Sequence, residues 1–148
     1  MGEVGKNLYL GINMIIMDSN ACIDFLDGNQ ELKEILDNNI DIIGITTISV
    51  YEINIGLEIT KRKKSKLRYD KLKKSWNVIL NNAQILSLGL NEAKQASKIY
   101  DDLYSQGCLI DDNDILIAGI MLSNRINKII TRNIKHFERI KQLKIFTY

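Results

Sequence analysis

Three carboxylates in this chain stand where an apolar run gives way to a helix-forming stretch. Asp18 follows Met14-Ile15-Ile16-Met17 and precedes Ser19-Asn20. Glu52 comes soon after the apolar Ile42-Ile43-Gly44-Ile45 and the hydroxyls of Thr46 and Thr47. Asp114 ends the run Asp111-Asp112-Asn113-Asp114, just before the apolar residues 115–122. In an open α/β sheet such positions converge on the carboxyl edge, where ligands are held. Carboxylates sharing a cleft repel one another. A divalent cation among them removes the repulsion; without one, at least one keeps its proton. An all-oxygen donor set with few protein ligands suits Mg2+ or Mn2+ rather than zinc. One or two such ions activate water and stabilise a phosphate as it is cleaved. The chemistry these parts describe is metal-dependent phosphodiester hydrolysis.

Those carboxylates need elements to hold them. The Ile-rich run over 14–17 reads as a strand covered on both faces, with Asn20 as the N-cap of the helix that follows. Ala21, Cys22, Phe25 and Leu26 lie at helical spacing, and Gly28 stops that helix. A short helix over 31–38 follows, then a buried strand over 41–45. Thr46 and Thr47 cap a helix whose apolar side is read as Ile48, Tyr51, Ile55 and Ile59. Gly56, one turn after Glu52, costs that helix about 1 kcal/mol relative to Ala, which implies close approach to another element. A third strand spans 84–88. Asn91 caps a helix over 92–105 with Ala93, Ala96, Ile99, Tyr100 and Leu103 inward. Asp114 opens a helix apolar nearly all round, and such helices are buried. A strand over 128–131, a short helix over 134–140 and a last strand over 143–146 complete the chain. Strands alternating with helices predict an α/β fold: a parallel sheet of four to five strands with helices on both faces. Right-handed crossovers bring the loops after strands one, two and four to one edge.

The whole chain sets limits. Its 148 residues, 45% hydrophobic and 26% charged, suit one soluble domain with a real core. No apolar run is long enough to span a membrane, and the N-terminus lacks a secretory pattern. Residues 1–13 read as an extension, disordered or loosely packed, with Met14 an alternative start; residues 14–148 read as one domain. Cys22 and Cys108 read as reduced thiols of a cytoplasmic protein, Cys22 in the core. Residues 61–74 carry nine basic side chains against Asp70, net +8, while the chain as a whole is +2, so the rest carries −6. A basic patch on an acidic body fits polyanion binding, and equally a solvated helix face. His136, the only histidine, reads as a surface residue, since a metal-activated water needs no histidine base. The aromatic residues fall mostly at core spacing.

Four pieces together resemble the PIN-domain family, and within it the VapC-type ribonuclease toxins of prokaryotic toxin–antitoxin pairs. They are Ile15-Ile16-Met17-Asp18-Ser19-Asn20, Ile45-Thr46-Thr47-Ile48-Ser49-Val50-Tyr51-Glu52 with Gly56, Asn113-Asp114-Ile115-Leu116-Ile117-Ala118, and Ile130-Thr131-Arg132-Asn133 with Phe137 beyond. The resemblance implies a three-layer sandwich and a cytoplasmic Mg2+- or Mn2+-dependent endoribonuclease. Asp18, Glu52 and Asp114 are its implied metal and catalytic set, supported by Ser19, Asn20 and Thr131. The family often has a fourth acidic residue after strand four. Asn133 stands there, so Asn133 or Asp112 remains to complete the site, while Asp111 reads as surface. Lys61, Arg62, Lys63, Lys64 and Arg132 are the implied RNA contacts, with tRNA or mRNA as substrate. The implied partners are a cognate antitoxin and a second copy of the chain. Two alternatives stay open: an RNA-processing nuclease with no antitoxin, and a non-catalytic RNA-binding scaffold.

Overall fold

The computed structural model describes residues 13–63 and 65–148. The expected N-terminal extension lies outside the described residues, apart from Asn13, and so does Lys64.

Among the described residues five strands form one sheet. They are β1 (Met14–Met17), β2 (Ile42–Thr46), β3 (Gln84–Leu86), β4 (Lys128–Ile130) and β5 (Lys144–Phe146). Every pairing is parallel, in the order β3-β2-β1-β4-β5. Seven helices connect them: α1 (Ser19–Leu26), α2 (Gln30–Asp37), α3 (Thr47–Lys63), α4 (Lys66–Asn82), α5 (Leu90–Ser105), α6 (Asp112–Ser123) and α7 (Ile134–Phe137).

All four residues of β1 are buried, because the sheet is covered on both sides. Side chains alternate across a strand, and β1 divides accordingly. Met14 and Ile16 join a core with Ala96, Ile99 and Leu103 of α5 and Ile117, Ile120 and Met121 of α6. Ile15 and Met17 join a second core with Cys22 of α1, Leu32 of α2, Ile53 and Leu57 of α3 and Trp76 of α4. Each fully buried Ile contributes roughly 1.5–3 kcal/mol. The expected three-layer sandwich is thus formed, with β1 at its centre. The chain reverses its direction of travel across the sheet between β1 and β4, which opens a crevice at their carboxyl ends.

Several local expectations are corrected. Asp18, not Asn20, caps α1, its Oδ1 accepting the Ala21 N–H at 2.8 Å. Asn91 does not cap α5. That helix starts two residues earlier, after Gly89, and Glu92 Oε2 fills the space that a side chain at 89 would need, as in a capping box without its hydroxyl. Ala93 and Tyr100 face outward, and Tyr100 stacks on Tyr104 with ring centroids 6.2 Å apart. Of the residues expected inward on α3, Ile48 is buried, but Tyr51, Ile55 and Ile59 are exposed; Ser49, Ile53 and Leu57 are the other buried positions. Two apolar stripes offset by two residues compete for the interior of this helix, and the one that brings Ser49 inward is chosen. A Cβ on Gly56 would meet nothing within 4 Å, so the expected close approach there is absent. Close approach occurs instead at Gly119 of α6, which packs against Ala96 of α5. The third strand stops at Leu86 and the short seventh helix at Phe137.

Candidate active site

Each predicted carboxylate reaches the carboxyl edge of the sheet on its own element. Asp18 leaves β1 and is only 2% exposed. Its backbone N–H donates to the Ile130 carbonyl at the end of β4 at 3.3 Å. Its Oδ2 accepts from the Thr131 hydroxyl at 2.5 Å. Thr131 is fully buried and accepts in turn from the Asn133 backbone N–H at 2.9 Å. Glu52 sits on the second turn of α3, where its Oε1 accepts from the Ser19 hydroxyl at 2.7 Å. Ser19 Oγ also lies 2.9 Å from Ser49 Oγ. Since the single Ser19 proton goes to the carboxylate, Ser49 is the donor in that second contact. Ser49 is wholly buried and was not singled out from sequence; a hydroxyl four residues after the strand, beside Glu52, was the available signal.

Asp114 lies on the first turn of α6, two residues after the helix starts at Asp112. Its Oδ2 accepts from Asn133 Nδ2 at 3.2 Å and lies 2.7 Å from His136 Nδ1. His136 is therefore not the free surface histidine that was expected. The single turn of α7 folds it back onto Asp114, with its side chain 28% exposed. A contact between residues 22 apart leaves no local mark in sequence.

Asp18, Glu52, Asp111, Asp112 and Asp114, with Ser19, Asn20 and Asn133, line one cleft of about 340 Å³. Among the described residues no lysine or arginine lines it. Asp111, expected to be plain surface, is exposed but borders the cleft, and so does Asp112. The electrostatics follow from this crowding. Burial pushes the Asp18 carboxyl up to about 6, with Asp114 and Asp24 adding repulsion, against the hydrogen bonds from Thr131 and Ala21. Burial likewise raises Asp114, helped by Asp111 and Glu52 and opposed by His136. Buried carboxylates raised by their own neighbours, with no cationic side chain between them, are the donor set a divalent cation fits.

The basic residues behave differently. Arg132 follows Thr131 in the chain and is paired with Asp24, which holds its Nη1 at 3.3 Å; the same Asp24 Oδ2 accepts from the Tyr148 hydroxyl at 2.6 Å. Lys61, Arg62 and Lys63 end α3, which runs back from the carboxyl edge. They lie about 14 Å along the helix axis beyond Glu52. The basic run crosses into α4, where Lys61 and Lys73 flank the Tyr69 ring, each 5.7 Å from its centroid. Among the described residues, Lys61, Arg62 and Lys63 do not line the carboxylate cleft.

Thr131→Val tests the hold on Asp18. It keeps the shape but removes the donor to a buried carboxylate and the acceptor for Asn133. Loss of about 1–3 kcal/mol is expected, with activity or metal affinity down about 10–100-fold. Thr131→Ser should restore most of both in thermal melts and ion titrations. Failure of the serine variant to rescue would mean that the hydroxyl is not the operative group.

A parallel five-stranded sandwich with a carboxylate cleft at its switch point belongs to the open α/β class that holds ligands at this edge, and comparison narrows it. The PIN domain family model matches residues 15–143, so this chain belongs to that family. Ribonuclease VapC of Rickettsia bellii is 29% identical over 133 residues, 90% of this chain and 95% of that protein. Ribonuclease VapC1 of Rickettsia felis is 35% identical over 63 residues; the match spans 43% of this chain and 46% of the relative's length. Among solved structures, DNA-bound VapBC from Salmonella typhimurium superposes with a TM-score of 0.78 at 21% identity, covering 92% of this chain and 98% of that one.

Proposed function

We propose that this protein is a divalent-metal-dependent endoribonuclease, using Mg2+ or Mn2+, and the toxin of a toxin–antitoxin pair. The observation that carries this reading is the convergence of Asp18, Glu52 and Asp114 on one cleft free of cationic side chains. Membership of the PIN family and similarity to the VapC ribonucleases support it.

Asp18, Glu52 and Asp114 would hold the ion. When bound, it supplies charge neutralisation at the scissile phosphate and acidifies water for attack. The chain contributes preorganisation. Thr131 and the Ala21 N–H fix both oxygens of Asp18, Ser19 fixes Glu52, and Asn133 with His136 fixes Asp114. Asn133 spends its amide on Asp114 rather than adding charge. Asp112 or Asp111, both lining the cleft, would be the fourth carboxyl group of the site. Arg132, next in sequence to Thr131 and Asn133, would meet an RNA phosphate, while Lys61, Arg62 and Lys63 would meet the strand further along.

Two apolar surfaces suit the expected partners. The exposed stripe of Tyr51, Ile55 and Ile59 on α3 is assigned to the antitoxin, because it runs down the helix that carries Glu52. The groove of about 390 Å³ between α5 and α6, lined by Ala93, Tyr100, Ile115 and Leu116, is assigned to a second copy. In sedimentation at micromolar concentration the antitoxin-free chain should run as a dimer, and a monomer would remove that assignment.

The test of activity is incubation of the purified, antitoxin-free chain with total tRNA under Mg2+, Mn2+ or EDTA, beside an Asp18→Asn/Asp114→Asn variant. Discrete fragments are expected with either ion and neither with EDTA nor from the variant. Intact RNA after exposure to folded protein with both ions would sink the nuclease reading and favour a binding scaffold.

A further inference from the structure

Three successive side chains of the turn after β4 each hold a carboxylate. Thr131 donates to Asp18 and Asn133 to Asp114, both of which line the cleft. Arg132 lies between them in the chain, yet it is not among the described residues that line the cleft. Five carboxyl groups do line it, and a guanidinium, with its fork of donors, is a side chain that such a set attracts strongly. Reach does not explain its absence. The Thr131 hydroxyl already meets Asp18, and the further step of about 3.8 Å between successive Cα atoms is shorter than an arginine side chain. Arg132 is held elsewhere by Asp24 of α1, whose Oδ2 lies 3.3 Å from its Nη1. The Asp24 side chain is 13% exposed and that of Arg132 56%. The carboxylate is therefore the fixed end of the pair, and the guanidinium keeps donors open to solvent.

Tyr148 fixes Asp24 in turn. Its ring packs on the second core, its hydroxyl donates to the same Oδ2 at 2.6 Å, and burial beside Asp24 keeps the phenol protonated. Asp24 carries a cost, since its charge adds to the repulsion that raises Asp18. A carboxylate that crowds the cleft without lining it is accounted for by what it holds. We propose that Asp24, braced by Tyr148, is a positioning residue that tethers Arg132 out of the carboxylate cleft, leaving the cleft to a divalent cation and the arginine's open donors to a phosphate. Released, Arg132 would pair with the cleft carboxylates and compete with the cation, since both answer the same negative charge. The tether rests on the metal-binding part of the proposed function, yet it can be read without RNA.

Full-length protein is titrated with Mn2+ alone, and the free ion is counted by electron spin resonance. Asp24→Asn keeps an acceptor for Tyr148 but gives up the charge that holds the guanidinium, and it should bind Mn2+ about tenfold more weakly than the wild type. Arg132→Gln should bind at least as tightly as the wild type. In Asp24→Asn/Arg132→Gln no arginine is left to compete, and the affinity should return to within about threefold of Arg132→Gln, a coupling between the two sites. Asp24→Glu, which keeps the charge, should bind close to the wild type. Circular dichroism confirms that each variant is folded. Loss of a nearby charge, or a purely structural role for Asp24, would weaken binding by the same factor with or without Arg132. That result overturns the tether, and so does wild-type affinity in Asp24→Asn. Folded wild type that binds no Mn2+ removes the metal reading and the tether together. The expected coupling without RNA cleavage leaves the tether standing and removes only the nuclease reading.

Discussion

Asp18→Asn should lose RNA cleavage by about 100-fold or more and yet, in metal-free buffer near neutral pH, melt higher than the wild type. The reason is the burial of a carboxyl whose proton leaves only at about 6 rather than at the ordinary aspartate value of 3.8. The folded protein binds that proton more tightly than the unfolded chain does. Stability therefore falls as pH rises from about 4 to about 6, and the full penalty of about 3 kcal/mol is present above that range. The amide keeps the shape, accepts from Ala21 and still meets Thr131, but carries no charge for Asp114 and Asp24 to repel. A gain of roughly 6–12 °C in melting temperature at pH 7.5 is expected. Near pH 3.5, where the carboxyl is largely protonated folded or unfolded, the two proteins should melt together. Divalent ion should then raise the wild type much more than the variant. Paired calorimetric scans at the two pH values check this. A variant that melts below the wild type at pH 7.5 would show that hydrogen bonding, not burial, governs Asp18.

Gly119→Ala sets two effects of opposite sign against each other. Helix propensity alone favours alanine by about 1 kcal/mol. The packing says otherwise: the new Cβ would lie 2.6 Å from Ala96 Cβ and 2.8 Å from both Cα and N of Ala96. Backbone atoms cannot rotate aside, so α6 must move away from α5. Overpacking of this kind costs about 1–3 kcal/mol, and with backbone opposed the upper part of that range applies. A net loss of about 2 kcal/mol in denaturant melts is expected. Because α6 also carries Asp114, its displacement should lower activity about tenfold. Ala96→Gly in the same protein should rescue little, since two of the three close contacts are to backbone. Full rescue would show that the side-chain contact alone sets the spacing.

Which parts of this were readable beforehand follows from how local each cause is. The central strand β1 was legible because an apolar run ending in Asp is buried on both faces whatever packs on it, while the partly exposed edge strands β3 and β5 were legible from their place between helical stretches. Asp18, Glu52 and Asp114 were legible because a carboxylate at a strand-to-helix junction marks a sheet edge. The inward face of α3 was legible only at Ile48; beyond it Tyr51–Ile55–Ile59 and Ile53–Leu57 have near-equal helical claims, and only packing against the neighbouring helices separates them. His136 was misjudged for the same reason: only the folded turn of α7 brings it to Asp114. Gly56 and Gly119 were confused because both are glycines in helices, and only the neighbouring helix says which of them needs to lack a side chain.

The pairing of β1 with β4 also governs when the protein can become active. Thr131 grips Asp18 across 113 positions of sequence, and β1 can pair with β4 only after nearly the whole chain has been made. Closing so long a separation is entropically costly, and parallel sheets built on such contacts fold slowly. A nascent or truncated chain ending before β4 has Asp18 and Glu52 but neither Thr131 to hold the first nor Asn133 and His136 to hold Asp114. The cleft is thus a late product of folding. During translation, the ribosome is carrying an unassembled active site until its last few dozen residues emerge.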